Sequence, residues 1–100
     1  MKTEISERSD YTEIRLEGRF DHTVTREFRV AVTDALQHAP AELRVDLGAV
    51  DYLDSAALGM LLMAKEMAET ASKTVSLANA RGNVGKVLDF AKFKVIFKIV

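Results

Sequence analysis

One hundred residues with 48% hydrophobic and 29% charged side chains have an ordinary globular balance, in a chain long enough for one core. Fourteen Lys and Arg stand against fifteen Asp and Glu, a net charge of −1, so no basic excess exists to hold a phosphate backbone and no nucleic-acid partner is expected. The absence of cysteine removes disulfides and thiolate metal sites.

The amino-terminal stretch MKTEISERSDYTE is polar and carries no apolar signal segment. TEISER is read as a short strand, with RSDY as the turn after it. In YTEIRLEGRF, Thr12, Ile14 and Leu16 alternate with Glu13, Arg15 and Glu17, which predicts a half-buried strand that Gly18 ends. From Thr23 the apolar residues Val24, Phe28, Ala31, Val32, Ala35 and Leu36 follow helical spacing until Pro40. Leu43–Leu47 is a second strand of this kind, and Ser55 to about Ala71 a second helix. Thr74–Ala78 is a strand, NARGN a loop, and Val84, Val87, Leu88 and Ala91 mark a third helix. VIFKIV is predicted to close the chain as a strand.

The order β-β-α-β-α-β-α-β implies an α/β fold: a mixed, mostly parallel sheet of about five strands with helices packed on it, and an antiparallel pair at its start. No repeat, linker or low-complexity segment interrupts it, so residues 1–100 are expected to form a single domain. The longest apolar run, Ala56–Ala64, is too short to span a bilayer. No membrane partner is expected, and the expected compartment is the cytoplasm.

That run raises the functional question. Residues 56 to 64 are apolar on every side of a helix, so the helix is buried or covered by a partner. Directly before it stands the polar pair Asp54-Ser55. The first amides of a helix lack intrahelical acceptors, and either residue can supply one as a cap. The same amides also stabilise added negative charge, so a phosphoryl group on a serine there is electrostatically tolerated. Asp54, with Asp51 and Asp21, opposes it, and phosphate would change the surface a partner reads. Cap, nucleophile and attachment point all remain open on chemistry alone. Ser55 is expected in the first turn, at one end of the sheet.

The stretch LRVDLGAVDYLDSAALGMLL resembles the signature of STAS domains, the bacterial anti-sigma-factor antagonists. Its matching positions are Asp46, Val50, Asp54, Ser55, Ala56, Ala57, Leu58 and Gly59. LEGRFDHTVTREFR is similar to the end of the family's second strand, with Gly18, Phe20, Asp21 and His22 in register, and SLANARGNVGKVLDFAKFKVIFKIV resembles its last strand-helix-strand unit. The resemblance implies a STAS-like fold and a non-enzymatic binding module. Such a module holds a partner serine kinase or anti-sigma factor when unphosphorylated. It is released when a hydroxyl of the Asp-Ser-(Ser/Thr) motif is phosphorylated. Family members also work with response regulators carrying kinase and phosphatase activities, in pathways such as motility or biofilm formation. A monomer is expected when no partner is bound.

The second hydroxyl position, often the acceptor in the family, is Ala56 here, and alanine accepts no phosphate. Three readings follow: Ser55 is the acceptor, the chain is a non-switching scaffold, or Ala56 replaces a serine and locks the unphosphorylated state. Ala57 in place of glycine is a milder departure, and many members continue into another helix beyond FKIV. The expected partner surface comprises Asp21, His22, Arg26, Arg29, Ser55, Ala56, Ala57 and Gly59.

Other residues read more simply. His22 has no second histidine nearby in sequence and no Glu-x-x-His spacing, so a loop hydrogen bond is favoured over a metal or base role. His38 precedes Pro40 and reads as a helix-end cation. NARGNVGK lacks the Gly-x-x-x-x-Gly-Lys-Ser/Thr spacing of a phosphate loop. Met60, Met63 and Met67 read as core, and Lys92, Lys94 and Lys98 as a solvated face. The alternative, a small hydrolase using Asp54 and Ser55, lacks both the Gly-x-Ser-x-Gly elbow and an evident base. No catalytic residue, cofactor or metal is expected.

Overall fold

The computed structural model describes residues 1–100. Strand β1 (Lys2–Glu7) pairs antiparallel with β2 (Thr12–Phe20), and the intervening turn closes through the Arg8 amide donating to the Tyr11 carbonyl at 2.8 Å. A 3-10 turn (His22–Val24) leads into α1 (Thr25–His38), followed by β3 (Glu42–Leu53), α2 (Ser55–Thr70), β4 (Thr74–Ala78), α3 (Gly82–Phe90), a short helix α4 (Phe93–Ile96) and β5 (Lys98–Ile99). The sheet order is β1-β2-β3-β4-β5, parallel from β2 onward. The mixed α/β architecture is the one read from the sequence.

Strands that add side by side in chain order through right-handed crossovers receive all their helices on one face. Burial agrees: Ile14, Leu16, Leu43, Val45, Leu47, Val75 and Leu77 point into one core with residues of all four helices. The opposite face carries Glu13, Arg15, Glu17, Arg44 and Asp46, all half-buried or exposed. On that face the Glu42 carboxylate accepts from Ser76 Oγ (2.6 Å), Arg44 Nη2 (2.9 Å) and Lys98 Nζ (2.9 Å), linking β3, β4 and β5. The Arg44 guanidinium lies 3.8 Å from the centre of the Tyr11 ring.

Three strand expectations need correction. Gly18 does not end β2; its φ of +100° lets the strand pass through a conformation that other residues avoid, and β2 runs on to Phe20. Strand β3 extends past Leu47 to Leu53. Its pairing with β2 shifts register between Arg15 and Glu17 and again between Gly18 and Arg19. Each shift inserts one extra residue into β3. The buried positions therefore run Leu47, Val50, Leu53, a spacing of three that conceals a strand from a search for alternation. Gly48 sits at the first bulge, where a Cβ would meet Asp46 Oδ1 at 3.1 Å and Asn79 Cβ at 3.2 Å. The Gly48 amide donates to Asp46 Oδ1 (2.8 Å), and Arg81 Nη2 donates to the Gly48 carbonyl (3.0 Å), which clamps the bulge.

The third correction is at the carboxyl end. VIFKIV is not one strand: its start belongs to α4, and β5 is confined to Lys98–Ile99. Phe93 and Phe97, one helical turn apart, are buried with ring centres 5.2 Å apart, and this pair sets the local geometry. Lys92 turns the chain there at φ 64°. Lys98 is not simply solvated, because it reaches Glu42, and His38 Nδ1 lies 3.4 Å from Glu7 Oε1 instead of acting only on its own helix end. Met60 is in the core as expected, whereas Met63 and Met67 are half-buried at its margin.

Candidate functional site

The two β3 bulges carry Leu53 to the end of the sheet beside the end of β2. There the Asp54 amide donates to the Phe20 carbonyl at 3.4 Å. Phe20 is fully buried, with its ring centre 5.0 Å from that of Phe28 in α1, so the corner rests on a packed aromatic pair.

Asp54 adopts an extended conformation and caps α2: its Oδ1 accepts from the Ala57 amide at 2.9 Å. Its Oδ2 accepts from the His22 amide at 3.3 Å, and His22 Nδ1 lies 3.6 Å from the same oxygen. One carboxylate thus ties the start of α2 to the loop before α1. Asp21 repeats the device, with Oδ1 accepting from the Thr23 amide at 3.0 Å and from the Thr23 hydroxyl, while Arg19 Nε stands 3.5 Å from Oδ2. The Arg19 guanidinium also lies 3.9 Å from the centre of the Tyr52 ring.

These bonds set the electrostatics. The Ala57 amide holds the Asp54 carboxyl below its ordinary range, aided by His22 and opposed by burial and by the charge of Asp21. The Thr23 hydroxyl and amide do the same for Asp21, with smaller help from Arg19 and His22. Both groups are anions at neutral pH; the leading donor is a backbone amide for Asp54 and the Thr23 hydroxyl for Asp21.

Ser55 is the first residue of α2 and is exposed; Ala56 is half-buried, Ala57 buried and Gly59 exposed. Ser55 Oγ makes no hydrogen bond to a base, and the nearby imidazole is engaged with Asp54. No group of three or more His, Asp or Glu side chains is arranged to hold a metal. No helix is long and apolar enough to cross a membrane. The Gly59 Cβ direction is open, with no atom within 4 Å.

Among the residues singled out in the sequence, Asp21, His22 and Asp54 meet through hydrogen bonds, with Ser55, Ala56 and Ala57 directly following. Arg26 and Arg29 lie on the exposed surface of α1, in a broad depression shared with Thr3 and Ile5 of β1; no bond ties them to the corner. Sequence reasoning missed the Asp54–His22 tie, which joins residues 32 apart, and the Arg19–Tyr52 stack, which the second bulge of β3 makes possible.

The family described as Mlab, STAS domain, matches residues 3–97. A STAS-domain containing protein of Pseudomonas aeruginosa (strain UCBPP-PA14) is 40% identical over 86 residues, covering 86% of this chain and 84% of the relative. The chain belongs to the STAS domain family. Among solved structures, an anti-sigma factor antagonist from Mycobacterium paratuberculosis superposes with a TM-score of 0.85 at 19% identity, covering 98% of this chain and 83% of that one. The Bacillus cell fate determinant SpoIIAA in its phosphorylated form gives 0.72 at 20% identity, covering 99% and 91%. The unphosphorylated form of SpoIIAA gives 0.72 at 20% identity, covering 99% and 87%. At these identities the likeness establishes the STAS fold that β1–β5 and α1–α4 build. The amide-bonded corner lies within the family match.

Proposed function

We propose that this STAS domain is a non-enzymatic, phospho-regulated binding module. It holds an anti-sigma factor with serine kinase activity, or a response regulator with kinase and phosphatase activities. It lets that partner go when the mouth of α2 is phosphorylated. The observation that carries this reading is the start of α2, where position 56 directly follows an Asp54 cap and an exposed Ser55, and where Asp54 also anchors the Asp21-His22 loop. A phosphoryl group there gains from the helix start and carries about −2 charge next to two carboxylates. It would be tolerated by the fold and would still alter the surface.

Ala56 follows Ser55 at the second position of α2. In this reading the acceptor position is Ala56, a serine there would be the switch, and the present chain is locked in the binding form. The partner surface comprises Asp21, His22, Ser55, Ala56, Ala57 and Gly59, with Arg26 and Arg29 as its margin on α1. The fold of structures described as anti-sigma factor antagonists, one of them in a phosphorylated form, supports the assignment.

The test is intact-mass measurement after incubation with ATP and an anti-sigma-factor serine kinase, for the present chain and for Ala56→Ser. The Ala56→Ser protein should gain one acid-stable phosphoryl group and the present chain none. Equal phosphorylation of both at Ser55 would make Ser55 the switch and remove the lock.

A further inference from the structure

The sheet order β1-β2-β3-β4-β5 leaves two edges. At one, β5 has two residues and offers almost no ladder. At the other, β1 runs six residues, Lys2–Glu7, and its outer amides and carbonyls face no strand. Helix α1 packs over β1 and β2, and a broad depression of about 970 Å³ lies between its outer side and β1. Thr3 and Ile5, both half-buried, form the strand side. On the helix side Val30 is 62% exposed, with Arg26 one turn before it and Asp34 one turn after. Neither Arg26 nor Asp34 forms an ion pair within the chain. A single valine in water means little by itself. Here it stands beside an open strand edge, between two charges of opposite sign.

The order of those charges selects the occupant. A two-fold axis beside Val30 sets α1 antiparallel to the α1 of a second copy. Arg26 then faces Asp34 of the second copy, and Asp34 faces its Arg26, on either side of the paired Val30 side chains. Glu27, which also lines the depression, falls opposite Thr33, so no like charges are opposed. The same axis makes β1 antiparallel to its copy and keeps all helices on one face of a joined sheet. The two symmetric registers that pair most of β1 centre on Glu4 or on Ile5. Centring on Glu4 sets like charges face to face. Centring on Ile5 sets two apolar side chains together under the Val30 pair, with Glu4 opposite Ser6 and Thr3 opposite Glu7. A helix lying over the outermost two strands stands about 5 Å inside such an axis, so its copy stands about 10 Å away, an ordinary distance for packed helices.

We infer that β1 and the outer side of α1 form a self-complementary face on which a second copy of the chain docks, giving a two-fold dimer with one continuous sheet. This goes beyond the switch reading and departs from the monomer expected from the sequence. Asp54, Ser55 and Ala56 do not line the depression, so the start of α2 stays open in the dimer. Arg26 and Arg29 do line it, so the proposed partner and the second copy draw on the same side of α1.

Sedimentation velocity of the full chain from about 5 to about 500 µM tests the inference. The chain should pass from monomer toward dimer across that range. Val30→Glu should weaken association about tenfold or more, by placing two carboxylates on the axis. Arg26→Glu and Asp34→Arg should each do the same, because each variant opposes like charges twice in its own dimer. Mixed one to one, these two variants should associate about as well as the present chain, since every contact between positions 26 and 34 again joins opposite charges. All three positions are exposed, so melting temperatures should stay near that of the present chain. Amide exchange should slow at alternate residues of β1 as concentration rises. A chain that stays monomeric throughout, a dimer that Val30→Glu leaves intact, a mixture that associates no better than either variant alone, or protection at Lys98–Ile99 in place of β1 would overturn the inference.

Discussion

The two ends of β3 each hold a carboxylate with lowered proton affinity, and they achieve it by different means. At the start, burial works against Glu42, but Ser76, Lys98 and Arg44 outweigh it and bring its pKa down to about 2. Two cations close that site, and its charge is spent on joining three strands. At the far end, Asp54 and Asp21 are held mainly by the Ala57 amide and by the Thr23 hydroxyl and amide. Neutral donors, two amides and a hydroxyl, dominate there, and one guanidinium, that of Arg19, stands 3.5 Å from Asp21 Oδ2. The first end is a structural lock. The second is a rigid corner with negative charge left at its surface, where one more anion changes what a partner meets.

Breaking the support beneath the corner should have the largest effect. Phe20→Ala removes a fully buried ring packed on Phe28 and should cost about 3–5 kcal/mol in urea unfolding. Glu42→Gln comes next, at about 1–3 kcal/mol, since Arg44 and Lys98 lose their charged acceptor. Its pH dependence sharpens the contrast. A carboxylate whose folded pKa lies below its unfolded value adds stability above the unfolded pKa, and that stability is lost as pH falls toward the folded one. For Glu42 the window runs from the ordinary 4.5 down to about 2, and Glu42→Gln should flatten the acid limb of the stability curve there. Asp54 and Asp21 contribute with the same sign.

Asp54→Asn should destabilise less than Glu42→Gln, because its remaining oxygen can still cap α2. Its mark should be local: hydrogen exchange should quicken at the His22 amide more than at the Ala57 amide. Equal acceleration at both would show that Asp54 is only a helix cap. Ala56→Ser should be the smallest perturbation, a few tenths of a kcal/mol by helix propensity, readable as a near-unchanged melting temperature.

How much of this was legible in the sequence follows from where local pattern and tertiary structure agree. The alternation of Thr12, Ile14 and Leu16, and the helical spacing from Val24 to Leu36, give β2 and α1 because each element buries one regular face. Strand β3 is legible only to Leu47, since bulges replace the period of two with a period of three. The end of the chain looks like a strand in sequence but is not one there, because Phe93 and Phe97 are buried as a pair while Val95 and Ile96 lie exposed on a helical turn. At the site, Asp54-Ser55 before an apolar run marks the start of α2 on local grounds alone. The tie from Asp54 to His22 joins segments 32 residues apart, and no short-range spacing encodes it.

The central claim is that added charge at the mouth of α2 decides binding. Its most direct test is isothermal titration of a cognate anti-sigma-factor kinase or response-regulator partner against three proteins: the present chain, Ala56→Ser, and Ala56→Ser after phosphorylation. The account predicts equal affinity for the first two and loss of binding for the third. Undiminished binding by the phosphorylated protein would contradict it.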